Sequence, residues 1–161
     1  MTWWKSWGRA RAATPAEAAA AGDLVVVSLP PRAFPAVPVQ PLAGKPILDT
    51  INYIPERDRR IPELYDSPLS NSEVLQRHLG SAHVVKVFNN ITSWHLGSLG
   101  RPPGTPDRSA LSIADDDPAA KGAVTRFLDA IRYDAVDAGT LGSGGRRFQF
   151  GTPASSHRTA G

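Results

Sequence analysis

The sequence predicts a layered α/β fold with a mostly parallel sheet. Three observations carry that prediction. Short apolar runs alternate with amphipathic or capped helical segments along the chain, which implies right-handed crossovers between parallel strands. The run Asp23-Leu24-Val25-Val26-Val27-Ser28-Leu29-Pro30 is continuously apolar before it closes on a polar residue and a proline, as in a strand covered on both faces. The stretch His83-Val84-Val85-Lys86-Val87-Phe88-Asn89-Asn90-Ile91 is a β-branched run that ends abruptly in an aromatic and two side-chain amides.

The 161 residues suffice for one domain with a real core. Hydrophobic residues make up 41% and charged residues 20%, a globular balance. The net charge of +3 and the pI near 9.6 come from scattered basic residues, which suit phosphate-bearing ligands and do not by themselves argue for nucleic acid. The absence of cysteine excludes disulfides, zinc-thiolate sites and thiol catalysis. No apolar run approaches the roughly 20 residues that span a bilayer, and the amino-terminal residues lack a signal peptide's apolar core, so a cytoplasmic protein with no membrane partner is the default.

Thr14-Pro15-Ala16-Glu17 reads as an N-cap, a proline at the first helical position and an acid in the first turn; Gly22 ends that helix. Residues 31–46 hold five prolines, which preclude a long regular helix. Ile47-Leu48-Asp49-Thr50 is a short strand opening into the aromatic turn Asn52-Tyr53-Ile54-Pro55, and residues 57–66 are charged and expected at the surface. After Ser70-Asn71-Ser72-Glu73 comes an amphipathic helix with Val74, Leu75 and Leu79 on one face, stopped by Gly80. Residues 91–106 are rich in Gly, Pro and Ser and read as irregular. Residues 109–114 read as a strand. Asp117 then caps a helix over residues 119–131 with Val124, Phe127, Leu128 and Ile131 inward, and residues 133–139 form a last strand and turn.

Candidate chemistry concentrates at strand ends, because open α/β sheets bind ligands beyond the carboxyl ends of their strands. Ser28 and the backbone after it lie at one such end; Asn89 and Asn90 lie at another. A strand running into an ordinary Asn-rich turn is the plainer account of the second. Asp115-Asp116-Asp117 suggests a metal, but capping explains it better. The histidines lack ligand spacing, and Ser28 has no nucleophile elbow around it. Gly142 to Arg147 could face a phosphate, although a mobile loop is the commoner use of such a run. Trp3, Trp4 and Trp7 with Lys5 could form an interfacial anchor, in a segment too short for a strong amphipathic face.

Four pieces in order carry a resemblance: Gly22-Asp23-Leu24-Val25-Val26-Val27-Ser28-Leu29-Pro30, Ile47-Leu48-Asp49-Thr50 with Asn52-Tyr53, Val85-Lys86-Val87-Phe88-Asn89, and Val136-Asp137-Ala138-Gly139-Thr140-Leu141. Over roughly residues 9–154 the sequence resembles the deazaflavin (coenzyme F-420)-dependent NADP reductase family, whose fold also serves the reductase domain of membrane ferric reductases. The resemblance implies a Rossmann-type, doubly wound NAD(P)-binding domain that moves hydride between NADP and a deazaflavin or flavin-like partner. It implies that Ser28, Leu29 and Pro30 run along the dinucleotide, that Asn89 and Ile91 flank the nicotinamide, and that Thr152 lies near the second coenzyme. Such a site positions cofactors that bring their own chemistry, so no catalytic triad is expected.

The chain also departs from the family. The opening strand with its Gly-x-Gly-x-x-Gly turn is missing, as is the next strand, whose end reads the adenosine 2′-phosphate. Ile51 replaces a frequent Asn, and Pro35 interrupts what is commonly a helix. The expected fold is therefore an incomplete Rossmann-type domain over residues 9–154. Residues 1–8 and 155–161 are expected not to belong to it, because codons consistent with either end, read one frame over, encode family-like sequence. Two functional readings follow: an NADP-dependent oxidoreductase, or a truncated, catalytically incompetent or non-enzymatic α/β protein. In both, the strand at Leu24 to Val27 becomes an apolar edge that a homodimer or partner chain could cover.

Overall fold

A computed structural model describes residues 10–66, 68–149 and 152. The atypical ends expected at 1–8 and 155–161, the tryptophans near the amino terminus and His157 lie outside the described residues. Two parallel sheets form the frame. Strands β1 (Val25–Val27), β2 (Pro46–Asp49) and β3 (His83–Lys86) lie in the order β1-β2-β3, and β4 (Ala110–Ile113) pairs with β5 (Asp134–Asp137). One antiparallel bridge joins the two sheets: the Lys86 N–H donates to the Ala114 carbonyl at 2.9 Å and the Ala114 N–H to the Lys86 carbonyl at 3.1 Å.

Both faces of β2 and β3 are covered, because successive residues of each strand point to opposite sides. Ile47 and Val84 face a core built with Phe34, Leu42, Leu75, Leu79 and Leu141. Leu48 and Val85 face a second core with Leu111, Ile113, Val124, Leu128 and Tyr133. Helices α1 (Pro15–Ala21) and α4 (Asn71–Leu79) contribute to the first core, and α6 (Pro118–Ala130) to the second. This is the doubly wound, mostly parallel α/β arrangement of a Rossmann-type domain. Among the described residues β1 has a neighbour on one side only, and no Gly-x-Gly-x-x-Gly turn occurs in the sequence.

Local chemistry accounts for the helix starts. Thr14 and Ser70 both form capping boxes, with Glu17 and Glu73 reaching back to the cap N–H, and Asp117 accepts from the Ala120 N–H at 2.7 Å. The proline-rich stretch forms only 3-10 turns, Pro31–Ala36 and Gln40–Leu42. Helix α6 ends with Phe127 and Ile131 only half-buried beside the second core.

Three expectations need correction. Residues 57–66 are not uniformly exposed: helical turns α2 (Pro55–Asp58) and α3 (Pro62–Tyr65) form there, and Asp58 is buried because Arg57 grips its carboxylate at 2.7 and 2.8 Å. The irregular stretch contains helix α5 (Ser93–Ser98), started by Thr92, whose Oγ1 accepts from the His95 N–H at 3.3 Å. The glycine-rich run is packed tightly: a Cβ on Gly144 would stand 2.4 Å from the Ala138 carbonyl oxygen, and Arg146 reaches Glu73 at 3.5 Å.

Candidate functional site

The carboxyl ends of β1 and β2 form a shallow cavity of about 250 Å³. Ser28, Leu29 and Pro30 line one wall; Thr50, Ile51, Asn52 and Arg57 line the other. Each wall is the chain leaving a parallel strand, so the cavity occupies the edge at which such sheets expose backbone to ligands. Ser28 and Pro30 are exposed, while Leu29 is half-buried against the first core.

The end of β3 turns toward the same edge. Phe88 has φ 68°, a left-handed conformation that a side chain with a Cβ adopts at a cost. That turn brings Asn89 back beneath the cavity wall, where its Nδ2 donates to the carbonyls of Thr50 and Ile51, each at 3.5 Å. The amide oxygens of Asn52 and Asn89 are buried and accept no hydrogen bond from the described residues. Both oxygens lie within the edge, off the cavity surface, as acceptors without a partner among the described residues.

Asn89 and Ile91 diverge after this point. Ile91 lines a different cavity, of about 380 Å³, with Asn90, Thr92, His95, Leu99 and Leu111. Thr152 lines neither cavity; its Oγ1 donates to the carbonyls of Arg147 and Gln149, closing the chain after a 3-10 turn at Gly145–Phe148. Two of the histidines make local contacts: His78 Nε2 meets the Val37 carbonyl at 2.9 Å, and His83 lies 3.6 Å from Asp117.

Beneath the cavity lies a buried charged network. Asp49 and Lys86 are register partners in β2 and β3, and both are enclosed, at 0% and 1% exposure. Lys86 Nζ stands 3.5 Å from Asp49 Oδ2 and donates to the Ile51 carbonyl. Asp49 Oδ2 also accepts from Ser72 Oγ at 2.6 Å and Asn71 Nδ2 at 3.3 Å, and its Oδ1 accepts from the Ile51 N–H at 2.8 Å. Burial pushes the Lys86 ammonium below its ordinary range, opposed by the charge and hydrogen bond of Asp49. Residue-by-residue reading did not single these groups out. The available signal was a charge at the end of each of two apolar runs, Ile47-Leu48-Asp49 and Val84-Val85-Lys86.

No model of a protein family matches the chain. Among solved structures it is similar to one named as a candidate F-420-dependent NADP reductase from an Arthrobacter species, at 26% identity and TM-score 0.68, with 84% of this chain and 64% of that one covered. It is also similar to a hypothetical protein from Sinorhizobium meliloti, at 22% identity and TM-score 0.70 over 91% and 70% of the two chains. A third likeness is to an imine reductase from Bacillus cereus, at 17% identity and TM-score 0.59 over 91% and 44%. The chain has the fold of the NAD(P)-binding Rossmann-type oxidoreductases. The likenesses extend across differently named proteins and so establish that superfamily's fold. This chain spans just under two thirds of the Arthrobacter protein's length and less than half of the imine reductase's.

Proposed function

We propose that the chain acts as an NADP-dependent oxidoreductase, passing hydride between NADP(H) and a deazaflavin (coenzyme F-420) or flavin-like acceptor. The observation that carries this reading is the strand-end cavity. Ser28, Leu29 and Pro30 face Thr50, Ile51 and Asn52 across it, and Asn89 holds the Thr50 and Ile51 carbonyls from beneath. The ribose hydroxyls of a dinucleotide can donate to the carbonyls that such a strand-end wall presents. The choice of NADP and of a deazaflavin follows the four sequence pieces and the likeness to the Arthrobacter protein.

When bound, the nicotinamide supplies the hydride chemistry. The chain's own residues hold and orient it. In this reading the backbone of Ser28 to Pro30 would run along the nucleotide, and Asn89, its amide braced by the Thr50 and Ile51 carbonyls, would help to hold the nicotinamide. Ile91, which lines the neighbouring cavity, and Thr152 are assigned to the nicotinamide and to the second coenzyme by the sequence resemblance alone. Small-molecule redox coenzymes are then the partners, and a cytoplasmic setting goes with them.

A second reading, a protein of this fold with no redox activity, is favoured by one feature. The sequence contains no Gly-x-Gly-x-x-Gly turn to cradle a pyrophosphate with backbone amides. Calorimetric titration of the purified chain with NADPH separates the two. Micromolar binding supports the oxidoreductase; no heat of binding at millimolar NADPH leaves the non-enzymatic protein.

A further inference from the structure

The Ile51 peptide is held from both sides by buried side chains. Its N–H donates to Asp49 Oδ1, and its carbonyl accepts from Lys86 Nζ, from Asn71 Nδ2 at 2.9 Å and from Asn89 Nδ2 at 3.5 Å. Thr50, Ile51 and Asn52 together form one wall of the strand-end cavity. Whatever fixes the Ile51 peptide therefore fixes that wall. The same lysine reaches the other half of the molecule, since its backbone forms both hydrogen bonds of the bridge to Ala114.

We propose that Lys86 is a positioning residue: from inside the core its ammonium, with Asp49, clamps the Ile51 peptide and so sets where Thr50, Asn52 and Asn89 stand at the cavity. Charge balance alone does not require this geometry. A buried pair could be replaced by apolar side chains with little loss of stability, and often with a gain. Here each member also makes hydrogen bonds to the strand-end loop, and Asn71 and Ser72 at the start of α4 hold the carboxylate against that helix's amino end. The clamp thereby ties the cavity wall to α4 as well as to β3. This inference rests on the nucleotide reading only for the identity of the ligand.

The test compares the wild-type chain with Lys86→Met and with Lys86→Met/Asp49→Asn. The single variant buries an uncompensated carboxylate and loses stability. The double variant removes both charges and keeps the Ala114 bridge, so it regains most of the lost thermal midpoint. Amide hydrogen exchange at residues 51–53 and 89–90 is read alongside NADPH affinity. A clamp predicts that the folded double variant exchanges at least about tenfold faster at Ile51 and binds NADPH about 100-fold more weakly, the scale expected of a misplaced positioning group.

If the double variant recovers wild-type exchange and affinity together with its stability, Lys86 merely balances a charge and the proposal is overturned. Faster exchange in a chain whose wild type binds no NADPH upholds the clamp and removes the nucleotide reading. An observation on the wild type covers the case of variants that do not fold. By NMR the Lys86 ammonium protons should be protected from solvent and in contact with residues 50–52; an ammonium exchanging like a surface lysine overturns the clamp.

Discussion

Asp115 lies just past β4, almost wholly enclosed, with Oδ2 accepting no hydrogen bond from the described residues. Burial pushes its carboxyl up to about 6, with the Asp116 charge adding to the rise and the Asp116 and Asp117 N–H groups and His83 opposing it. The folded state therefore keeps a proton that the unfolded chain has released between about pH 4 and 6. Stability from this group is greatest below that window, falls as pH rises through it, and stays reduced above it. Asp115→Asn removes the buried charge while its Oδ1 can still accept from the Asp116 N–H, a bond of 2.7 Å in the structure. Urea unfolding at pH 7.5 should show a gain of about 2 kcal/mol that shrinks toward zero at pH 4. An equal gain at both pH values would sink the explanation. The sequence made Asp117 readable as a cap because capping is decided within four residues. Asp115 was not readable, since its burial is set by segments distant in sequence, among them the turn at Gly139, whose carbonyl accepts from the Asp115 N–H at 3.1 Å, and no local pattern encodes that.

At the scale of elements the same division holds. The caps at Thr14 and Asp117 and the helix start after Ser70 were legible, as were the strand positions, because each depends on neighbours in sequence. Helix α5 was hidden by the glycine, proline and serine around it, and the Asp58 ion pair by the charged character of its surroundings. In the candidate site, the strand-end placement of Ser28 to Pro30 and of Asn89 could be anticipated from strand boundaries. The Asp49–Lys86 pairing needed the register between β2 and β3, and that is set by cores on both faces of the sheet. The end of α6 offers a test of element-level physics. Arg132 has φ 74°, its N–H bonds the Asp129 carbonyl, and the following Tyr133 N–H bonds the Leu128 carbonyl at 2.9 Å. This is a Schellman motif with arginine where glycine is preferred. Arg132→Gly should stabilise the fold by about 1 kcal/mol, because relief of the left-handed strain outweighs the added freedom of the unfolded chain. For a chain of this size that corresponds to a rise in thermal midpoint of about 3 °C. A midpoint that falls in a calorimetric scan would mean that the arginine side chain contributes more than its backbone costs.

For the whole molecule, the consequential feature is the edge of the three-stranded sheet. Among the described residues β1 pairs with β2 alone, and Val26 in its middle is half exposed, at 50%. Beside it runs an apolar cleft of about 350 Å³, lined by residues that include Ala18, Val25, Val27, Ala33 and Val37. A flat apolar strand with unpaired backbone groups on one side invites another strand, and proteins usually blunt such edges with charge or cover them. Among the described residues no charged side chain lines the cleft, so the edge has apolar area and backbone donors together. Two copies meeting edge to edge would bury both valines and extend the sheet. That is the form a homodimer of this chain would take, and it predicts association that strengthens with concentration. Val26→Lys places a charge at the centre of that edge while leaving the inward Val25 and Val27 in place. Sedimentation across a concentration series should then show the wild type moving toward a larger species and the variant remaining monomeric, with NADPH affinity alike in both because Val26 does not line the strand-end cavity. Equal association in both proteins would mean that the edge is not the contact, and a monomeric wild type would mean that the exposed strand is tolerated in isolation.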